Sequence, residues 1–240
     1  MQIVSAANIS ETAAVSTLTE TPLPYRQIVF NADKPGDFNL VLFLHGAGER
    51  GNDNEKQKIH AVARICRYIA AHEFKTVMLI PQCPEKKQWV DTPWSGTSHT
   101  IKDTPSLPIQ AVFALIDAKI NEFAVNPEQI RVCGISMGGY GTWDVISRRP
   151  EMFTAAFPVC GGADEAMAAR LAKMNITTCH GALDPTVPVC RSRNMVKALQ
   201  DAGNNDVMYT ELPEGKHFVW ETAFNDQKSM DKFFRTLLEK

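Results

Sequence analysis

Arg131-Val132-Cys133-Gly134-Ile135-Ser136-Met137-Gly138-Gly139-Tyr140-Gly141 leads a short apolar run through a Gly-x-Ser-x-Gly box into a helix-compatible segment. Strand, sharp turn and helix, in that order, are the context in which such a box forms a nucleophile elbow. The serine hydroxyl then stands at the carboxyl end of a central strand. Gly134 and Gly138 have no Cβ, so strand and helix can pack closely around the strained turn. The same five-residue pattern also arises by chance as a glycine-rich turn with an incidental serine. The rest of the chain must supply the partners that a reactive serine needs.

Outward from the elbow, apolar runs alternate with segments of helical spacing. Leu40–Leu44, Thr76–Ile80, Ile130–Ile135, Ala155–Cys160, Ile176–His180 and Val207–Leu212 read as strands. Continuous apolar runs bounded by turn residues suit strands buried on both faces. Helices are predicted over Glu55–His72, Ile109–Phe123, Gly139–Arg149, Asp164–Met174, Pro188–Ala202 and Asp226–Leu238. In the first of these, Ile59, Val62, Ala63, Cys66, Ile69 and Ala70 share one face. Pro158 suits the start or edge of its strand better than the middle. This alternation implies an α/β fold, a mostly parallel central sheet with helices on both faces. Residues 1–24 read as an N-terminal arm or strand hairpin, and 25–240 as one domain, within the length a single α/β domain can reach. From Gln82 to Pro108 the chain is irregular and carries Trp89 and Trp94; a loop this long is usually functional or disordered, and two tryptophans favour the former.

Composition narrows the function classes. A formal net charge of -2 argues against nucleic-acid or anionic-membrane partners, and no stretch is apolar enough to span a membrane. The six cysteines form no C-x-x-C pair, so zinc-site spacing is absent and free core thiols are expected. Residues 1–24 do not read as a signal peptide. The compartment follows the natural N-terminus: cytoplasmic if Met1 opens the chain, periplasmic or secreted if a leader precedes it. Composition leaves the oligomeric state open.

A nucleophilic serine needs a base and an acid, which in this kind of sheet follow in the order Ser, Asp or Glu, His. Asp184 is the first acidic residue after the Ile176–His180 strand, and His217 is the only histidine beyond position 180. Both fall in loops beyond strand ends, where α/β sheets place their active residues. Asp164 is the rival acid but follows a different strand. His45 and His180 end strands and read as structural. The oxyanion donors are expected to be the N–H groups of Met137 and of Ala47, in the turn His45-Gly46-Ala47-Gly48. That turn lacks the Gly-Lys-Ser/Thr ending and the Gly-x-Gly-x-x-Gly spacing of phosphate loops.

With these stretches assembled, Leu44–Gly51, Gly134–Asp144, His180–Asp184 and His217–Trp220 resemble the α/β-hydrolase superfamily. They are most similar to its phospholipase/carboxylesterase and dienelactone-hydrolase-like branch, which includes predicted peptidases and esterases related to polyhydroxybutyrate depolymerases and feruloyl esterases. The likeness runs from about Tyr25 to the C-terminus. It implies a serine carboxylic-ester hydrolase that works through an acyl-enzyme, with catalytic Ser136, Asp184 and His217 and without metal or organic cofactor. The expected partner is a small-molecule or glycan-linked acyl ester, short-chain or of acetyl or feruloyl type. A serine peptidase with the same residues is the alternative, and a non-catalytic binding module is a third. Trp89, Trp94 and Trp220 are candidates for lining the substrate pocket, or else structural anchors. Glu49 and Arg50 are expected to pair and shape the oxyanion turn, or to contact a polar substrate.

Overall fold

The computed structural model describes residues 8–239. Among these residues, eight strands form one sheet: β1 (Ile9–Ser16), β2 (Leu23–Phe30), β3 (Phe38–Leu44), β4 (Thr76–Pro81), β5 (Val125–Ile135), β6 (Ala155–Val159), β7 (Asn175–Gly181) and β8 (Val207–Leu212). Their spatial order is β1-β2-β4-β3-β5-β6-β7-β8. β1 and β2 pair antiparallel, β2 joins β4 antiparallel, and every later pairing is parallel. The parallel part therefore sends the carboxyl ends of β3, β5, β6, β7 and β8 to one edge. Of the N-terminal arm, residues 1–7 lie outside the described residues, and Ile9–Ser16 pairs with Leu23–Phe30.

Among the described residues, six α-helices cover the sheet: α1 (Val62–Ala71), α2 (Leu107–Glu122), α3 (Met137–Arg148), α4 (Cys190–Asp201), α5 (Trp220–Ala223) and α6 (Gln227–Leu238). The period-2 alternation of β3 separates two cores. Leu40, Leu42 and Leu44 pack with Ile109, Val112 and Ile116 of α2, Trp143 and Ile146 of α3, and Met195 and Leu199 of α4. Val41 and Phe43 point the other way, toward Ile65 and Ile69 of α1, Trp220 of α5, and Phe233 and Phe234 of α6. A buried aliphatic or aromatic side chain of this kind stabilises the fold by roughly 1.5–3 kcal/mol.

Three local expectations change. The segment read as one helix from Glu55 is broken into a 3-10 turn at Lys56–Lys58 and α1, and Ile59 is 65% exposed rather than on the buried face. Asp53 Oδ1 accepts the N–H groups of Glu55 and Lys56, and Ala61 adopts φ 60, so local capping and a left-handed residue interrupt the run. Pro158 sits inside β6, between β5 and β7. The β6–β7 ladder omits Phe157 and Pro158, and the Thr178 hydroxyl donates to the Pro158 carbonyl at 2.8 Å, so the missing N–H leaves no ladder bond broken. β5 begins at Val125, before the expected break at Asn126-Pro127, and the break survives as a register shift against β3 between Phe38 and Leu40.

The elbow requires close approach. A Cβ on Gly138 would lie 1.9 Å from the Leu44 carbonyl oxygen, and one on Gly134 would lie 2.4 Å from the Gly138 oxygen. Both obstacles are backbone, which cannot step aside cheaply. Gly138→Ala is accordingly expected to lower unfolding free energy by about 3 kcal/mol or more. Urea unfolding measures it, and an unchanged midpoint would contradict this packing.

Candidate active site

The residues brought together at the carboxyl edge come from five loops. Ser136 lies between β5 and α3 with φ 52 and ψ -116, a left-handed φ that non-glycine residues rarely adopt. Its N–H donates to the Val159 carbonyl at 2.8 Å, and its carbonyl accepts from Tyr140 N–H at 3.1 Å. Fastened on both sides, the turn holds Oγ 2.8 Å from His217 Nε2. His217 Nδ1 in turn lies 2.7 Å from Asp184 Oδ2. With Nδ1 protonated toward the carboxylate, Nε2 is left as an acceptor for the serine hydroxyl.

Asp184 collects donors on both oxygens. Oδ1 accepts from Thr186 N–H at 2.8 Å and Val187 N–H at 2.9 Å; Oδ2 faces His217 and, at 3.2 Å, His180 Nε2. Burial opposes the charged carboxylate. The hydrogen bonds from His180, His217 and the two backbone N–H groups together outweigh it and hold the carboxyl well below the usual carboxylate range. His180 was expected only to pack. It is fully buried, and its Nδ1 faces Ser192 Oγ at 2.7 Å, which directs the Nε2 proton toward Asp184 and the Val187 carbonyl. The rival acid Asp164 is occupied elsewhere: Oδ1 caps the following 3-10 turn at Ala166 N–H, and Oδ2 accepts from Ile101 N–H at 2.8 Å.

Ala47 opens a 3-10 turn and Met137 opens α3, so both N–H groups sit in first turns, which have no intrahelical acceptor. His45 orients the first of them. Its Nδ1 donates to the Gly46 carbonyl at 2.6 Å while Nε2 accepts from Cys83 N–H at 2.9 Å. The Gly46 carbonyl and the Ala47 N–H belong to one planar trans peptide, so pinning one aims the other in the opposite direction. Burial lowers the His45 pKa to about 4, leaving the ring neutral, as this pattern of one donor and one acceptor requires.

The three tryptophans divide. Trp94 and Trp220 line a cavity of about 230 Å³ together with Ala47, Ser136, His217 and Phe218. Trp89 does not reach it. Trp89 is fully buried, and its Nε1 donates to the His45 carbonyl at 3.0 Å, so it anchors the turn from behind. Among the described residues no Glu49–Arg50 ion pair forms. Arg50 Nε bonds the Ala47 carbonyl at 2.8 Å and its guanidinium lies over Trp94, whereas Glu49 turns inward, where burial raises its pKa. A larger cavity of about 540 Å³ opens at the amino ends of β6 and β7, beside Arg170, Lys173 and Asp206, away from all of these groups. Size alone does not locate the chemistry.

A serine at a strained strand-to-helix turn, beneath a mostly parallel sheet edge and bonded to a histidine from the last loop, defines an α/β-hydrolase. Residues 25–237 match the phospholipase/carboxylesterase family, and the chain belongs to it. An uncharacterized secreted protein of Arthroderma benhamiae is 27% identical over 92% of this chain, which spans 25% of that relative's length. The Arabidopsis thaliana protein named "Probable carboxylesterase SOBER1-like" is 28% identical over 68% of this chain and 67% of its own. The crystal structure of a thermostable esterase superposes with a TM-score of 0.82 at 34% identity, covering 95% of this chain and 63% of that one. No helix among the described residues is long and apolar enough to cross a membrane.

Trp89→Phe is expected to cost about 1–3 kcal/mol of stability, because the buried His45 carbonyl loses its donor; Trp94→Ala is instead expected to raise KM. Urea unfolding and steady-state kinetics distinguish the two. A second expectation concerns acid. The folded chain protonates His45 near pH 4, below the ordinary 6.5, so the unfolded chain binds that proton more readily. Stability is therefore full above pH 6.5 and falls toward pH 4, by roughly 3 kcal/mol for this group. His99, also lowered to about 4 by burial and by the Arg191 charge, acts in the same direction. Unfolding measured from pH 7 to 4 should show a shallower slope for His45→Leu.

Proposed function

We propose that the protein hydrolyses carboxylic esters through an acyl-enzyme, with Ser136 as nucleophile, His217 as general base and acid, and Asp184 as the orienting carboxylate. The observation that carries this reading is the continuous hydrogen-bond chain from Ser136 Oγ through the His217 ring to Asp184 Oδ2, at 2.8 and 2.7 Å. Oγ attacks the ester carbonyl as Nε2 takes its proton. The imidazolium is stabilised by the ionised Asp184 and returns the proton to the leaving alcohol. Ala47 and Met137 N–H groups receive the oxyanion. Water, activated by the same histidine, then releases the acid.

The proposed substrates are short-chain or carbohydrate-linked acyl esters. The cavity is small, and Trp94, Phe218 and Trp220 wall it with aromatic faces, of which Phe218 is 75% exposed. Such walls suit an aromatic acyl group or the face of a sugar ring, as in feruloyl- or acetyl-linked glycans. They would not enclose a long acyl chain.

Ser136→Ala is expected to lower kcat/KM on a chromogenic acetate ester by about 10⁴-fold or more and to abolish fluorophosphonate labelling, with folding unchanged by circular dichroism. Retained activity would sink the assignment of the nucleophile. Across acetyl, feruloyl, long-acyl and peptide substrates, the short and aromatic esters should turn over fastest. An enzyme that labels at Ser136 but cleaves peptides alone would replace the esterase reading with the peptidase one.

A further inference from the structure

Cys160 stands immediately after β6 and has φ 49; with Ser136 it is one of two non-glycine residues in this site held in the left-handed region. Such backbone persists only where the surroundings over-determine it. Here it turns a thiol out of the strand run and against the hydrogen-bond chain. Cys160 Sγ lies 3.4 Å from the His217 carbonyl oxygen. Sγ, a carboxylate oxygen of Asp184 and a ring nitrogen of His217 all fall within 4.8 Å of one another. Cys160 is fully buried, the Asp184 side chain is fully buried, and His217 nearly so.

We propose that Cys160, Asp184 and His217 form a binding site for a thiophilic divalent cation, zinc or cadmium, and that its occupancy switches the enzyme off. Thiolate, carboxylate and imidazole are the ligand types zinc selects, and three protein ligands plus water is a complete tetrahedral set. Ligands at about 2.0–2.3 Å from zinc lie about 3.5 Å from one another; His217 Nδ1 and Asp184 Oδ2, now 2.7 Å apart, open to admit the ion, and a side-chain rotation brings Cys160 Sγ, at most 4.8 Å from its co-ligands, in to complete the site. Charge favours it as well. One thiolate and one carboxylate neutralise the dication, so the buried site carries no net charge.

The exchange balances without any redox change. The metal–sulfur bond replaces the Cys160 S–H bond, and that proton leaves to solvent. Asp184 contributes an oxygen. His217 Nδ1 gives its lone pair to the metal, and the proton it carried moves to Nε2. With Nε2 protonated, the ring donates to Ser136 Oγ and can no longer accept its proton. Without metal, burial pushes the Cys160 thiol well above its ordinary pKa, so it stays protonated against the His217 carbonyl.

Loss of hydrolysis rests on the reading of Ser136 and His217 given above; the metal binding itself does not. Metal-free protein is titrated with Co²⁺ as a spectroscopic probe and with Zn²⁺ as inhibitor. Wild type and Ser136→Ala are both expected to bind one Co²⁺ with a thiolate-to-metal charge-transfer band, and Zn²⁺ should inhibit the wild type reversibly with EDTA. Cys160→Ala should lose the band and, against its own metal-free rate, need about 10- to 100-fold more Zn²⁺ for half inhibition. Cys160→Ser, closer in size, should lose the band too and covers the case in which alanine misfolds. Cys190→Ala, lacking a half-buried thiol elsewhere, should match the wild type. No band in the wild type, equal Zn²⁺ sensitivity without Cys160, or sensitivity that follows Cys190 would overturn the site. Activity retained in Ser136→Ala would instead overturn the nucleophile while leaving the Co²⁺ result standing.

Discussion

The contact on which the site depends is the approach of Gly138, at the start of α3, to the Leu44 carbonyl at the end of β3. β3 and β5 are hydrogen-bonded neighbours in the sheet, and the absent Cβ lets the first turn of α3 press against the end of β3. That contact brings the His45–Gly48 turn beside Ser136. Any side chain at 138 would hold the helix away and separate the two N–H groups proposed to share the oxyanion. The strained φ of Ser136 follows from the same constraint, since the chain must reverse from strand to helix within one residue.

Around this contact, polar groups are arranged in two buried sets. One runs from Trp89 through the His45 backbone and ring to the Gly46–Ala47 peptide, and its effect is orientation of an N–H. The other converges on Asp184, where four donors outweigh the desolvation of one carboxylate. Buried polar networks strengthen each member when complete and penalise the fold when broken.

Much of this could be read before any coordinates. The parallel sheet followed from alternating apolar runs, and Asp184 and His217 were candidates because each follows its strand in the required order. Misreadings came where a side chain's environment decided. Trp89 and Trp94 lie five residues apart in the same irregular loop, yet one is sealed behind His45 and the other faces the cavity. Pro158 in a central strand is tolerated because the β6–β7 ladder passes over it, while a threonine hydroxyl on β7 donates to its carbonyl.

Sequence alone determined the strand order along the chain, the elbow and the identity of the residues available at the sheet's active edge, because periodicity and glycine placement are local properties of the backbone. Tertiary structure alone decided which groups touch. Cys160, Asp184 and His217 are far apart in the chain. Their juxtaposition comes from parallel strands delivering distant loops to a single edge, a relation that no local spacing encodes.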